Sequence, residues 1–474
     1  MKIYIYLIIL FVFDIQYNFS QAPSIEWQKC LGGPGGEIGY SIQQTNDDGY
    51  IIAGVSDGGT NGGDVSGHHG ASDVWVIKLD FQGNIEWQKC LGGSDNDEAR
   101  SVKQTADGGY IIGGSTYSND GDVSIISSSD DFWVVKLDSV GSIQWEKRID
   151  SGSGSTDYGY SIIQSSDEGY VIVGASFPQN ADVLVAKLDF NGAIQWTRTL
   201  GGSNIEIGSD LVQTEDGGYL IACYGNLSSS GIIGSYGSSD GWLVKLDSLG
   251  NFIWQKCYGG SGGDSFYSID KTIDGSFILS GNSKSNDGIV TGNQGDSDYW
   301  AVKIDSAGNV LWSNCFGSNY EERSWSVKHT IDNGFILIGQ KNTSNPDTTS
   351  NYSDYYDYWV VKVDNNGVIQ WEKSFGSSKK DIGRDIFQTS DGGYILTGST
   401  LGADVDVIGN DGGQDIWLVK LLPESSNIEE IKSFYKKLVK VFDIMGIETN
   451  EKPNEVLFYQ YSDGSVVKKM VIEK

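Results

Sequence analysis

Four stretches of the chain are crowded with side-chain oxygens: NGGDVSGHHGASD (61–73), NDGDVSIISSSDD (119–131), NDGIVTGNQGDSD (286–298) and ADVDVIGNDGGQD (403–415). Carboxylates and amides gathered in a short loop are the ligands calcium takes, so Asp64, Asp122, Asp404 and Asp406 are candidate calcium ligands. None of the loops follows the D-x-[DN]-x-[DN]-G spacing, and the same composition forms self-capping turns without a metal. His68, His69 and His329 offer a base or a zinc ligand, but no G-x-S-x-G elbow accompanies them and no further zinc ligands are evident. Cys30, Cys90, Cys257 and Cys315 each stand three residues after a tryptophan, with Cys223 apart. Equivalent places in successive units do not easily come within the ~7 Å between Cα atoms that a disulfide requires, so no disulfide framework is expected. Two carboxylates ~5 to 9.5 Å apart could hydrolyse a glycoside. The visible breaks in pattern, such as NYEERSW with Glu321, Glu322, Arg323 and Trp325, hold too few residues to define such a site.

The elements that must position these groups come from a repeat. Trp27, Trp87, Trp145, Trp196, Trp254, Trp312 and Trp371 close a recurring apolar tripeptide at spacings of 60, 58, 51, 58, 58 and 59. A turn of the form DGGY, ending at Tyr50, Tyr110, Tyr170, Tyr219, Phe277, Phe335 and Tyr394, keeps the same register. So does a run of the form VVKLD, ending at Asp80, Asp138, Asp189, Asp247, Asp305, Asp364 and, in the last unit, Leu422. Each unit reads as four short strands: SVKQT (101–105), YIIGGS (110–115), DFWVVKLD (131–138) and SIQWEK (142–147). Seven such units predict an all-β, seven-bladed β-propeller of four-stranded antiparallel blades. The last unit lacks its fourth strand, and IEWQKC (25–30) supplies one, so the N-terminal strand is expected to close the ring. Abundant tryptophan invites carbohydrate stacking. Repetition of the same tryptophan in every unit points instead to packing between blades.

Residues 1–21, with Lys2 before an apolar run from Ile3 to Phe13, read as a secretory signal peptide. No later stretch reaches the ~20 apolar residues of a membrane span. Lys+Arg of 33 against Asp+Glu of 63 gives a formal charge of −30, which repels nucleic acid and anionic lipid. The propeller is assigned to 22–422. Residues 423–474, with nine acids and eight lysines, form a separate tail.

The array resembles the β-propeller repeats of exported Bacteroidetes proteins, and its GxIxWxK strand is similar to that of quinone-type propellers. Dehydrogenases of the latter kind carry adjacent cysteines beside the cofactor; this chain has none adjacent. The tail, through Val441, Asp443 and Gly446, then Asp463, Gly464, Lys468 and Lys469, resembles the end of a type A sorting domain of the type IX secretion system. That resemblance implies an interaction with the secretion machinery. The Tyr-Pro-Asn-Pro-like opening of such domains is missing, and an amphipathic helix through Ile428, Ile431, Tyr435 and Leu438 is the competing reading. The expected function is a non-catalytic, secreted or surface-attached binding, adhesion or scaffold module, without a cofactor unless calcium, presenting an acidic ring to an extracellular protein or glycan. The alternative is a polysaccharide hydrolase or lyase acting at the ring axis.

Overall fold

The computed structural model describes residues 21–58, 61–152, 154–177, 181–227, 237–342, 356–410, 413–424, 438–442, 449, 456–461 and 466–470. Seven sheets of four antiparallel strands are arranged in a ring, which makes the fold a seven-bladed β-propeller. The innermost strands are Gly36–Gln44, Asp97–Gln104, Thr156–Gln164, Glu206–Gln213, Asp264–Lys271, Glu322–His329 and Asp381–Gln388, and the first packs against the last. The seventh blade is completed as expected from the other end of the chain: Ile25–Leu31 pairs antiparallel with Asp415–Leu421, and Ser24 accepts a bond from Leu422 N at 3.0 Å.

Local chemistry explains the repeat marks. In the DGGY turn, Asp107 Oδ1 accepts from Gly109 N at 3.1 Å, and Gly108 takes a positive φ of 81°. Asp48, Glu168 and Asn333 adopt the same left-handed geometry at the corresponding place in three other blades, so the turn, not the glycine, is what repeats. The lysine of the VVKLD run is buried and reaches back to that turn. Lys136 Nζ lies 2.9 Å from Asp107, Lys187 2.9 Å from Asp167 and Lys362 2.7 Å from Asp332, and the other four blades repeat the pair. The final aspartate of the run caps the next hairpin, as Asp80 Oδ1 does for Gln82 N and Asn84 N. Leu422 replaces it where the chain makes no hairpin, because the partner strand arrives from the N-terminus.

The core lies between blades. Trp75, Trp133, Trp242, Trp300, Trp359 and Trp417, with Leu184 in the remaining blade, are no more than 2 % exposed. The outer-strand tryptophans meet the aromatic ring of the next blade's turn: Trp27–Tyr50 at 5.8 Å, Trp87–Tyr110 at 5.7 Å and Trp371–Tyr394 at 5.9 Å between centroids. The five cysteines are free thiols.

The strands Leu438–Phe442, Val456–Tyr461 and Val466–Met470 form a small antiparallel sheet, in which Val441 pairs with Tyr459, Lys468 with Phe458 and Lys469 with Leu457. Leu438 therefore opens a strand. Asp443, Gly446, Asp463 and Gly464, the leader at 1–20, and the helix candidates Ile428, Ile431 and Tyr435 lie outside the described residues. No helix among the described residues is long and apolar enough to cross a membrane.

Candidate functional site: the axial mouth

Every innermost strand carries a bulge at the same point, where the ladder skips one residue. The skipped residues are Tyr40, Arg100, Tyr160, Ser209, Tyr267, Trp325 and Arg384. All are half-buried, and all line one cleft on the ring axis that encloses about 660 Å³, its open mouth included. A bulged residue has no cross-strand partner, and its side chain is re-aimed away from the pleat. Around the axis this re-aiming produces a ring of seven side chains that share a position and almost nothing else.

The ring is electrically lopsided. Blades 7, 1 and 2 supply Arg384, Tyr40 and Arg100, with the Arg100 guanidinium 3.9 Å and that of Arg384 5.5 Å from the Tyr40 centroid. Blades 3 to 6 supply Tyr160, Ile207, Tyr224, Tyr267 and Trp325, with Tyr267 4.9 Å from Trp325 and 5.1 Å from Tyr224. Two of the arginines near the axis are neutralised locally: Arg100 donates to Glu98 at 2.9 Å and Arg323 to Glu321 at 2.7 Å. Arg384 sits 4.6 Å above Trp325 and has no carboxylate within ion-pair distance among the described residues. Its Nε is buried without a hydrogen-bond partner, and burial pushes its pKa down to about 10. The acidic ring expected from net charge is thus not what the mouth presents; the surplus acid lies elsewhere.

Beneath the mouth runs a belt of Ser and Asp that ties blade to blade. Asp385 Oδ2 accepts from Ile42 N at 3.0 Å and its Oδ1 from Ser326 Oγ at 2.7 Å. Asp210 accepts from Ser161 Oγ at 2.7 Å and from Ile269 N at 3.0 Å. Lys328 lies 3.7 Å from Asp385, while Lys103, whose pKa is lowered by burial and then by Lys328, has no ion pair within that distance among the described residues. The axial aspartates are therefore engaged in holding neighbouring blades together.

A second set of carboxylates is fully hidden at the blade junctions. Glu37, Asp97, Asp157, Glu206, Asp264, Glu322 and Asp381 begin the inner strands, and each accepts from the backbone N–H four to six residues before it. Asp73, Asp131, Asp240 and Asp298, and the partly buried Asp182, stand at the start of the third strands and face them. Burial raises Asp97, Asp157, Asp182 and Asp298, the last to about 6. At one junction a cation answers the charge: Arg148 Nε donates to Asp131, with the carbonyls of Ser118 and Ile125 at 2.8 and 3.2 Å from Nη1.

The calcium candidates are placed on loops of three blades. Asp64 Oδ2 lies 3.4 Å from Gly32 N, Asp122 Oδ2 3.2 Å from Gly92 N and Asp406 Oδ2 3.3 Å from Gly376 N, while Asp404 Oδ1 accepts from Ser378 N at 2.8 Å. They converge on no common point; the acids with metal-like spacing among the described residues are Asp131, Asp150 and Asp157, within 4.8 Å of one another, with Arg148 already on Asp131. His68 is not a solvated loop histidine: its side chain is 1 % exposed and its Nε2 lies 3.1 Å from Ser56 O, while His69 Nδ1 lies 3.1 Å from Asp73. Of the pattern-breaking stretch, Trp325 reaches the axis, Arg323 pairs with Glu321 and Glu322 joins the junction carboxylates. The other axial residues are not distinguished by type. A comparison of the seven units at the residue before S-h-x-Q-T would have shown a column that mixes aromatic, cationic and small residues: Tyr, Arg, Tyr, Ser, Tyr, Trp, Arg.

Fold and mouth together define a seven-bladed propeller with a variable axial ring. No protein-family model matches the sequence, and no curated protein does. Solved structures that are similar include the Pan2 WD40 domain of Neurospora crassa, at 12 % identity and a TM-score of 0.47 over 84 % of this chain and 96 % of that one. A protein of unknown function from Bacteroides caccae matches at 11 % identity and 0.37 over 70 % and 97 % of the two chains. An α-L-arabinanase from Penicillium chrysogenum complexed with arabinobiose matches at 11 % and 0.42 over 67 % and 91 %. At these identities the likeness extends to the fold alone.

Proposed function

We propose that this chain is a non-catalytic binding module, exported and held outside the cell or at its surface, that engages its ligand in the axial mouth. The observation that carries this reading is the set of seven bulges. They keep the backbone geometry constant while the side chain delivered to the axis differs from blade to blade. The carboxylates nearest the axis, Asp210 and Asp385, are bonded to neighbouring blades, an arrangement that suits a structural role better than acid–base work. Export through the leader, and engagement of the secretion machinery by residues 423–474, belong to the same proposal, as does calcium at Asp64, Asp122, Asp404 and Asp406.

The deciding experiment is a melting-temperature screen of soluble glycans and peptides against the mature protein and its Trp325→Ala and Tyr160→Ala variants. Ligands that stabilise the parent and not the variants support axial binding; hits that stabilise all three equally sink it. Mass spectrometry of the native termini tests the export proposal: a C-terminus trimmed to near residue 423 on extracellular material supports it, and an intact Lys474 on periplasmic protein overturns it. Calorimetric titration with calcium giving neither heat nor stabilisation disposes of the metal.

A further inference from the structure

The mouth has a chemical polarity that its overall role as a binding surface does not require. One side carries two arginines about Tyr40, and of these Arg384 lacks, among the described residues, the carboxylate that both Arg100 and Arg323 possess. A guanidinium with a buried, unpartnered N–H is expensive, because desolvation is not repaid. Its contacts are the faces of Trp325 and Tyr40, which support a cation without neutralising it. The opposite side, Tyr160, Ile207, Tyr224 and Tyr267, offers apolar and aromatic surface. Below, Lys103 adds a second basic group, with no carboxylate at ion-pair distance among the described residues.

We propose that the axial mouth takes a monocarboxylate with an apolar or aromatic body, the carboxylate on Arg384 and the body against Tyr160, Tyr224 and Tyr267. This rests on the binding-module reading and specifies its ligand chemistry. Guanidinium is the side chain whose planar fork matches a carboxylate with two parallel bonds. The chain's formal charge of −30 determines how much anion the ligand can carry. A polyanion would meet that field along its whole length, whereas one carboxylate delivered to the guanidinium of Arg384 is governed by the short-range contact. A free aromatic acid and the C-terminal residue of a peptide share this chemistry.

The test uses the mature protein and three probes: N-acetylphenylalanine, its carboxamide with the same body and no charge, and a short peptide ending in phenylalanine with a free carboxylate. Binding is followed by tryptophan fluorescence and by calorimetry. The acid and the peptide should bind, with the carboxamide about tenfold or more weaker, the factor expected for loss of a charge-assisted bond. Arg384→Met should abolish the preference for the acid over the carboxamide, while Arg384→Lys retains part of it. If Arg384→Met does not fold, the Lys variant and the acid-to-amide ratio in the parent still decide. Stronger binding of the peptide or of the free acid identifies the source. Equal binding of acid and amide would overturn the carboxylate assignment while leaving axial binding intact. No binding of any probe at about 10 mM, beyond the weak limit expected for fragments of this size, would overturn the assignment outright.

Discussion

Replacing Asp298 by asparagine should stabilise the protein at neutral pH, against the usual expectation for a fully buried polar residue that starts a strand. Asp298 is 0 % exposed; its Oδ2 accepts from Gln294 N at 2.8 Å, and its Oδ1 has no hydrogen bond. It faces Glu322, which already accepts from Ser318 N at 3.0 Å. Burial first, then the Glu322 charge, push the Asp298 carboxyl up to about 6. Because the folded value lies above the unfolded one, the folded state binds more protons between about pH 4 and 6, so this group's contribution to stability falls as pH rises through that window. The full difference between the two charge states is about 3 kcal/mol, and partial hydration at the junction reduces what is recoverable. The carboxamide keeps the bond from Gln294 and adds a donor that can turn toward Glu322. Asp298→Asn should therefore gain about 1–2 kcal/mol at about pH 7.5 and nothing at about pH 4.5, where the parent acid is already protonated. Calorimetric melting of both proteins across pH 4–8 measures the difference. A variant that loses the same stability at both ends of the range would refute the reasoning, because the site would then be satisfied as a carboxylate.

Three further outcomes follow from the packing. Deleting residues 22–31 leaves the strand Asp415–Leu421 paired only with Tyr394–Thr400 and exposes its outer edge; cooperative melting should be lost, and a synthetic peptide of that sequence should restore it. Arg148→Met strands the Asp131 charge at its junction and should cost about 3–5 kcal/mol in denaturant unfolding, with Asp131→Asn in the same chain recovering part of it. Burial pushes the thiols of Cys90 and Cys257 up to about 12, so a thiol reagent at neutral pH should label them slowly until the protein is unfolded, and reduction should leave the intact mass unchanged.

The ring and its closure were legible because both rest on features that repeat: a turn, a buried run and a tryptophan, with the missing fourth strand of the last unit matched by IEWQKC at the start. The axial site was not, for the opposite reason. A repeat is recognised by what its units share, and Tyr40, Arg100, Tyr160, Ser209, Tyr267, Trp325 and Arg384 are divided among aromatic, cationic and small side chains, with no type common to all seven. A bulge also breaks the period of two by which a strand's facing is read, so alternation alone sends these residues to the wrong face. The junction carboxylates were hidden differently: Asp73, Asp131 and Asp298 end loops rich in turn formers and read as more of the same, although each starts a strand and is buried. The lysines of the VVKLD run served as a register mark, and only the fold shows that they clamp the turn of their own blade.

The bulges also make the mouth a separable part of the molecule. A residue that the ladder skips can be exchanged without breaking a backbone bond or moving a neighbour on the next strand, so each blade contributes one letter to a seven-letter word around the axis. The spelling can change one blade at a time while the frame remains intact. Under the proposed binding role, specificity would be set by substitution at these seven places, with Ile207 and Tyr224 beside them, and a new ligand would not require a new loop.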